Sequence, residues 1–276
     1  MIQRNEIRPA GVAGLFYPAD KVILERDLSL LLESAPLASL PRPVRAMIVP
    51  HAGYVYSGGV AARAYRQIMD KTYDAAIIIA PSHHESFQYI AVYPGKALRT
   101  PLGDIPLHQE LIEEITAAHP DIRFSKRGFA LNEHSLEVQL PFLKWVIDGI
   151  KIVPLMMGHQ AEDFINILHG ALSQALARRN CLLIASSDLS HFYSDEKARA
   201  LDQLVIDAVS DFAPDRLYED IEHRRCEMCG YGPAITAMKV ARDCGATEAR
   251  VLLYRNSGDI TGDRHGVVGY LAGVFY

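Results

Sequence analysis

Residues 181–193 read CLLIASSDLSHFY. Apolar residues run from Cys181 to Ala185, the serines Ser186 and Ser187 follow, and Asp188 and His191 come next. A short continuous apolar run bounded by polar residues suits a strand covered on both faces. In open α/β sheets, ligands lie outside the carboxyl ends of such strands. The stretch therefore predicts a buried strand whose carboxyl end opens into a site.

Working outward, similar runs recur at 45–50 (RAMIVP), 75–81 (AAIIIAP), 90–94 (IAVYP), 151–157 (KIVPLMM), 250–255 (RVLLYR) and 267–276 (VVGYLAGVFY). Helical periods separate them. KVILERDLSLLLES carries apolar residues at Ile23, Leu24, Leu28, Leu31 and Leu32 behind an Asp20 N-cap, and further helices are expected at 58–70, 107–118, 134–147, 162–178, 195–211 and 232–244. This alternation predicts an α/β fold: a three-layer α/β/α sandwich with a central, mostly parallel or mixed sheet. Antiparallel strands are expected near the C-terminus, where two runs follow one another without a helix. The Pro-rich stretch PLASLPRPVR (36–45) reads as a loop, so residues 1–276 are expected to form a single domain.

Composition narrows the function classes. With 276 residues, 49% of them apolar, the chain can bury one sizeable core. Its 28 Lys and Arg against 33 Asp and Glu give a formal charge of −5, with no basic run, so no nucleic-acid partner is expected. No stretch approaches the roughly 18 apolar residues of a membrane span, and the first residues lack the apolar segment of a secretion signal. A cytoplasmic protein is expected. The cysteines, Cys181, Cys226, Cys229 and Cys244, are too few for a disulfide framework in a chain of this length, and reduced thiols are expected.

The strand ends carry the chemistry. AMIVP leads into His51, AIIIAP into Ser82, His83 and His84, LLIASS into Asp188 and His191, and IVPLMMG into His159. One histidine in a loop is ordinarily a polar cap, but the same layout recurs at several strand ends. Imidazole is the commonest metal ligand and the usual acid/base near neutral pH. Two histidines on adjacent strand ends with one anionic ligand make the facial set that holds Fe(II) with open positions. Asp188 and Cys229 are both candidates for the third ligand. Cys229 precedes the helix expected at 232, whose N-terminus would lower its thiol pKa. The single CxxC of Cys226 and Cys229 lacks the further ligands of a structural zinc site.

In NEHSLEVQLPF (132–142) a helix is expected from Asn132 or Glu133, bringing Glu133 and His134 close to Glu137 on its surface. The acidic residues would then complement the helix dipole, or His134 or Glu137 would be a pocket group. The segment is not HExxH, and the chain contains no GxGxxG after a strand, no GxxxxGK[ST] and no GxSxG. Metalloprotease, nucleotide-binding and α/β-hydrolase readings therefore lack support.

Taken in order, RPAGVAGLFYPAD (8–20), IVPHAGYVYSG (48–58), APSHH (80–84), TPLGD (100–104), EHSLEVQLPFL (133–143), SSDLSH (186–191), CGYGP (229–233) and VVGY (267–270) resemble the Memo family, whose prokaryotic form is the AmmeMemoRadiSam system protein B. The resemblance spans almost the whole chain. That family is similar in fold to the class III extradiol non-haem iron dioxygenases, which implies a metal-capable site of His51, His83 and Cys229 with Asp188 and His191 beside it. The extradiol enzymes use glutamate as third ligand; the cysteine here makes a softer site. The family pattern implies no role for His159 or Cys226, and His159 is expected on the surface.

The function expected is a redox enzyme with Fe(II), or alternatively copper or zinc, held by His51, His83 and Cys229. His191 would be the acid/base, and Asp188 would orient it through a hydrogen bond to its ring. His134, Tyr54 and Tyr56 are the pocket candidates, joined by Phe192. Two alternatives stand beside this reading. One is a non-catalytic binding or signalling module taking a peptide or small anion in a vestigial cleft, as eukaryotic Memo relatives have been viewed; the other is a zinc hydrolase. No arginine lies inside the site motifs, which weighs against phosphate recognition. The resemblance also implies an AMMECR1-domain protein and a radical SAM protein as partners.

Overall fold

The computed structural model describes residues 5–276. In chain order the elements are β1 (Ile7–Arg8), α1 (Lys21–Glu33), β2 (Ala46–Val49), α2 (Tyr54–Ile68), β3 (Ala76–Pro81), β4 (Ile90–Val92), β5 (Ala97–Thr100), β6 (Gly103–Pro106), α3 (Gln109–Ala118), β7 (Ile122–Phe124) and α4 (Gln139–Val146). They continue with β8 (Ile152–Met157), α5 (Glu162–Leu176), β9 (Leu182–Ser186), β10 (His191–Tyr193), α6 (Asp195–Ser210), α7 (Pro214–Glu222), α8 (Tyr231–Asp243), β11 (Ala249–Asn256), α9 (Gly258–Thr261) and β12 (Val267–Phe275).

The fold is α/β, built on a nine-stranded mixed, mostly parallel sheet in the order β10-β12-β2-β9-β3-β8-β4-β7, with β11 added to β12. Strands β2, β9, β3 and β8 are mutually parallel neighbours, and every residue of β2, β3, β8 and β9 is buried. This is why their sequences are apolar at consecutive positions rather than at alternate ones. The antiparallel pairing expected near the C-terminus is present: β12 pairs antiparallel with β11, β2 and β10. Helices flank the sheet. α2 packs with α1 and α4, whereas α8 packs with α5 and α7 and lies on β2, β3 and β9. Among the described residues, no helix is long and apolar enough to cross a membrane.

Several short elements escaped the sequence pattern. β1, β5 and β6 form a separate three-stranded sheet, and β7, β10 and α7 were not expected either. One expectation requires correction. The helix anticipated from residue 132 starts only at Gln139, so Glu133, His134 and Glu137 lie in the turns ahead of it and share no helical face. The reason is that both carboxylates are already engaged by distant partners. Glu137 accepts hydrogen bonds from the amides of Gly11 and Val12 and from the Tyr17 hydroxyl, and it pairs with the Arg8 guanidinium. It anchors the N-terminal segment and does not serve as a pocket group.

Candidate metal centre

Parallel register brings the carboxyl ends of three adjacent strands together. Val49 of β2 lies beside Ser186 of β9, and Ala185 lies beside Ile79 of β3. The residues that follow are therefore neighbours: His51 after β2, Asp188 after β9 and His83 after β3. The fourth contribution, Cys229, arrives from the loop between α7 and α8. That loop closes tightly on β9. A Cβ on Gly230 would lie 2.4 Å from the Ser186 carbonyl oxygen, so only glycine permits the approach. Gln160 holds the loop from the other side, donating from Nε2 to the Cys229 carbonyl at 2.8 Å and accepting from the Gly232 amide at 2.8 Å.

His51, His83 and Cys229 each offer a ligand atom, and these atoms lie within 4.8 Å of one another. His51 Nε2 is 3.2 Å from Cys229 Sγ, and the His51 and His83 rings meet edge to face with centroids 5.1 Å apart. The donors are two imidazoles and a thiol, a set that fits a borderline or soft transition metal. His83, Glu133 and His134 form a second group with the same spacing, sharing His83.

Glu133 is the residue on which His83 rests. Its carboxylate accepts from the His83 amide at 2.6 Å and from the Ser135 amide at 3.1 Å, and its Oε1 is 3.1 Å from His83 Nδ1. Burial raises the Glu133 pKa, but the hydrogen bonds from His83 outweigh it and bring it down to about 2. An ionised carboxylate on Nδ1 turns Nε2 toward the centre, as in carboxylate–histidine–metal arrangements. His134 stacks between Phe16, at a centroid distance of 4.3 Å, and His83, at 4.9 Å. Burial lowers its pKa to about 4, so its ring is neutral near pH 7.

Asp188 lies beneath the site, but its partner differs from the expected one. Its Oδ1 accepts from the His51 amide at 2.8 Å, and the Ala52 amide also bonds to it, whereas the His191 ring bonds to the Leu189 carbonyl. The expected Asp188–His191 orienting contact is therefore replaced: Asp188 fixes the backbone of the His51 loop. Burial raises its pKa to about 7 against these amide bonds. The expected lowering of the Cys229 thiol pKa is also overturned. Burial and the neighbouring Asp188 push it up to about 12 despite hydrogen bonds from Ser187 and the Asp188 amide, so the thiol stays protonated until something displaces its proton.

Cys229 and His191 share a cavity of about 510 Å³ with Arg224, Cys226, Glu227 and Met228. The tyrosines lie elsewhere. Tyr54 is in the core, donating to the Val138 carbonyl at 2.9 Å and packing against Phe142, and it borders a separate apolar cavity with Phe16 and Leu31. Tyr56 is 44% exposed and Phe192 78% exposed. His159 is exposed, as expected.

A family model for Memo-like proteins matches residues 8–274. The chain belongs to the Memo-like protein family. Curated MEMO1 family proteins match over nearly the full length of both chains. The one from Methanocaldococcus jannaschii is 38% identical over 290 residues, covering 98% of this chain and 99% of the relative. Those from Methanobrevibacter smithii and Aquifex aeolicus are each 36% identical, with the same coverage. Among solved structures, an uncharacterized protein from Escherichia coli K12 superposes with a TM-score of 0.55 at 12% identity, covering 84% of this chain and 99% of that one. That likeness shows a shared fold. The Memo-like chain thus presents a His51, His83 and Cys229 group that could hold a metal, at the carboxyl edge of its central sheet.

Proposed function

We propose that the chain is a metal-dependent oxidoreductase, with Fe(II), or copper as the alternative, held by His51, His83 and Cys229. The observation that supports this reading is the convergence of two imidazoles, at the carboxyl ends of β2 and β3, with the thiol of Cys229, which also borders a cavity shared with His191. Two histidines and one anionic ligand leave positions open for exchangeable ligands, and a thiolate in place of a carboxylate suits copper as well as iron. When bound, such a metal would supply a route for electrons from an oxidisable substrate to dioxygen.

The protein's own groups perform the rest. Glu133 holds His83 with Nε2 inward, and Asp188 holds the loop that carries His51. His191 faces the same cavity as Cys229, and burial lowers its pKa, so a neutral ring is available to take a proton from a bound hydroxyl. Leu189 and Met228, both buried, supply apolar lining to the cavity beside Cys229. The test is oxygen consumption by anaerobically Fe(II)-loaded protein offered a panel of aromatic diols. Consumption by wild type, with none by a His191→Ala variant that retains its metal, is expected. A fully loaded wild type that consumes no oxygen with any diol contradicts the reading.

A further inference from the structure

One buried group is used neither by the proposed chemistry nor by the motif reading: Gln139, the first residue of α4, which is 0% exposed. Its side-chain amide has three neighbours. It meets the Pro50 carbonyl at 2.9 Å and Ser186 Oγ at 2.8 Å, and its oxygen lies 3.0 Å from the Tyr65 hydroxyl. Ser186, also 0% exposed, contacts the Ser135 carbonyl at 2.5 Å and His51 Nδ1 at 2.9 Å.

Counting donors and acceptors leaves one arrangement of protons. A carbonyl oxygen only accepts, so the Gln139 atom facing Pro50 is the NH2 group, and its second hydrogen points at Ser186 Oγ. Tyr65 then donates to Gln139 Oε1. The single Ser186 hydroxyl proton goes to the Ser135 carbonyl, for the same reason. Both Ser186 lone pairs therefore accept, one from Gln139 and one from His51 Nδ1. The His51 ring must carry its proton on Nδ1. Its lone pair lies on Nε2, which faces Cys229 Sγ at 3.2 Å and accepts the thiol proton.

We infer that Gln139 and Ser186 are positioning residues that lock His51 in the Nδ1–H tautomer, so that the metal-free chain already presents a ligand lone pair on Nε2. This rests on the assignment of His51 as a ligand but is measurable without any metal. The relay explains why β9 ends in a serine: an apolar residue at 186 would fill the same space without an acceptor for Nδ1. It also explains the stretch VQLP after the site turns, since α4 is the element that delivers the Gln139 amide between Pro50 and Ser186. On loading, the cation takes the Nε2 lone pair, and the proton shared with Cys229 leaves to solvent. His51 itself gains and loses none.

The test is a long-range ¹H–¹⁵N correlation spectrum of histidine-labelled, metal-free protein, with His51→Gln used to assign the signal. A protonated Nδ1 and a bare Nε2 on His51 are expected. An Nε2–H tautomer, or fast exchange between the two, overturns the inference. Ser186→Ala should remove the tautomer preference and weaken metal binding on the order of 10–100-fold, with Gln139→Leu acting in the same direction. If Ser186→Ala does not fold, the wild-type spectrum still decides the question. An Nδ1–H tautomer in a protein that binds no iron, copper or zinc leaves the relay standing and removes the ligand assignment instead. Unchanged tautomer and affinity in a folded Ser186→Ala variant refute the relay while leaving that assignment intact.

Discussion

Glu133 holds His83 by its amide and ring at once, so its loss should be felt at the metal rather than in the core. Glu133→Ala is expected to weaken metal binding on the order of 10–100-fold, the usual scale for a group that orients a ligand. Competition against a chromophoric chelator measures this, and an unchanged affinity would show that His83 orients itself. His51, His83 and Asp188 were legible because each directly follows an apolar run, and strand order alone brings such positions together. Glu133, Gln139 and Ser186 were not identified as supports, because their roles depend on pairings 47–135 positions away in the chain that no local pattern announces. The expected acidity of Cys229 failed for a related reason. Helix position was readable, but the burial of the thiol and the Asp188 beside it were not.

At the scale of elements, two joints carry the site. The first is the contact of the α7–α8 loop with the end of β9. Gly230→Ala drives a methyl group into the Ser186 carbonyl and should cost about 1–3 kcal/mol by overpacking while displacing Cys229. Gly59→Ala in α2 serves as the counterpart. An added Cβ there meets nothing within 4 Å, and the helix should gain about 0.5–1 kcal/mol. Denaturant titration of both variants checks the pair, and equal effects would contradict the close approach. The second joint is Glu137, which fastens the N-terminal segment through Arg8, Gly11, Val12 and Tyr17. Glu137→Ala leaves a buried guanidinium without its partner and should destabilise the chain by about 3–5 kcal/mol, read by the same titration. The long parallel strands were legible from their buried runs. β1, β5, β6, β7 and β10, of two to four residues each, are too short to display a period, and tertiary pairing alone defines them.

For the whole molecule, a metal that joins β2, β3 and the α7–α8 loop binds only the folded state. At a free concentration of about 100 times Kd it should add about 2.7 kcal/mol, which for a chain of this size raises Tm by about 5–10 °C. Chelation should reverse the shift, and a Tm indifferent to metal would mean that the three ligands do not act together. The overall architecture was legible from alternation and burial alone, whereas the convergence of Cys229 on two strand ends 146 and 178 residues before it in the chain belongs to the fold. The most direct test of that convergence is elemental analysis of protein purified anaerobically, comparing wild type with the double variant His51→Ala, Cys229→Ala. Near-stoichiometric iron or copper in wild type, lost in a variant whose circular dichroism is unchanged, is the result expected. Equal metal in both proteins, or none in wild type after supply of Fe(II) and copper, would contradict the account.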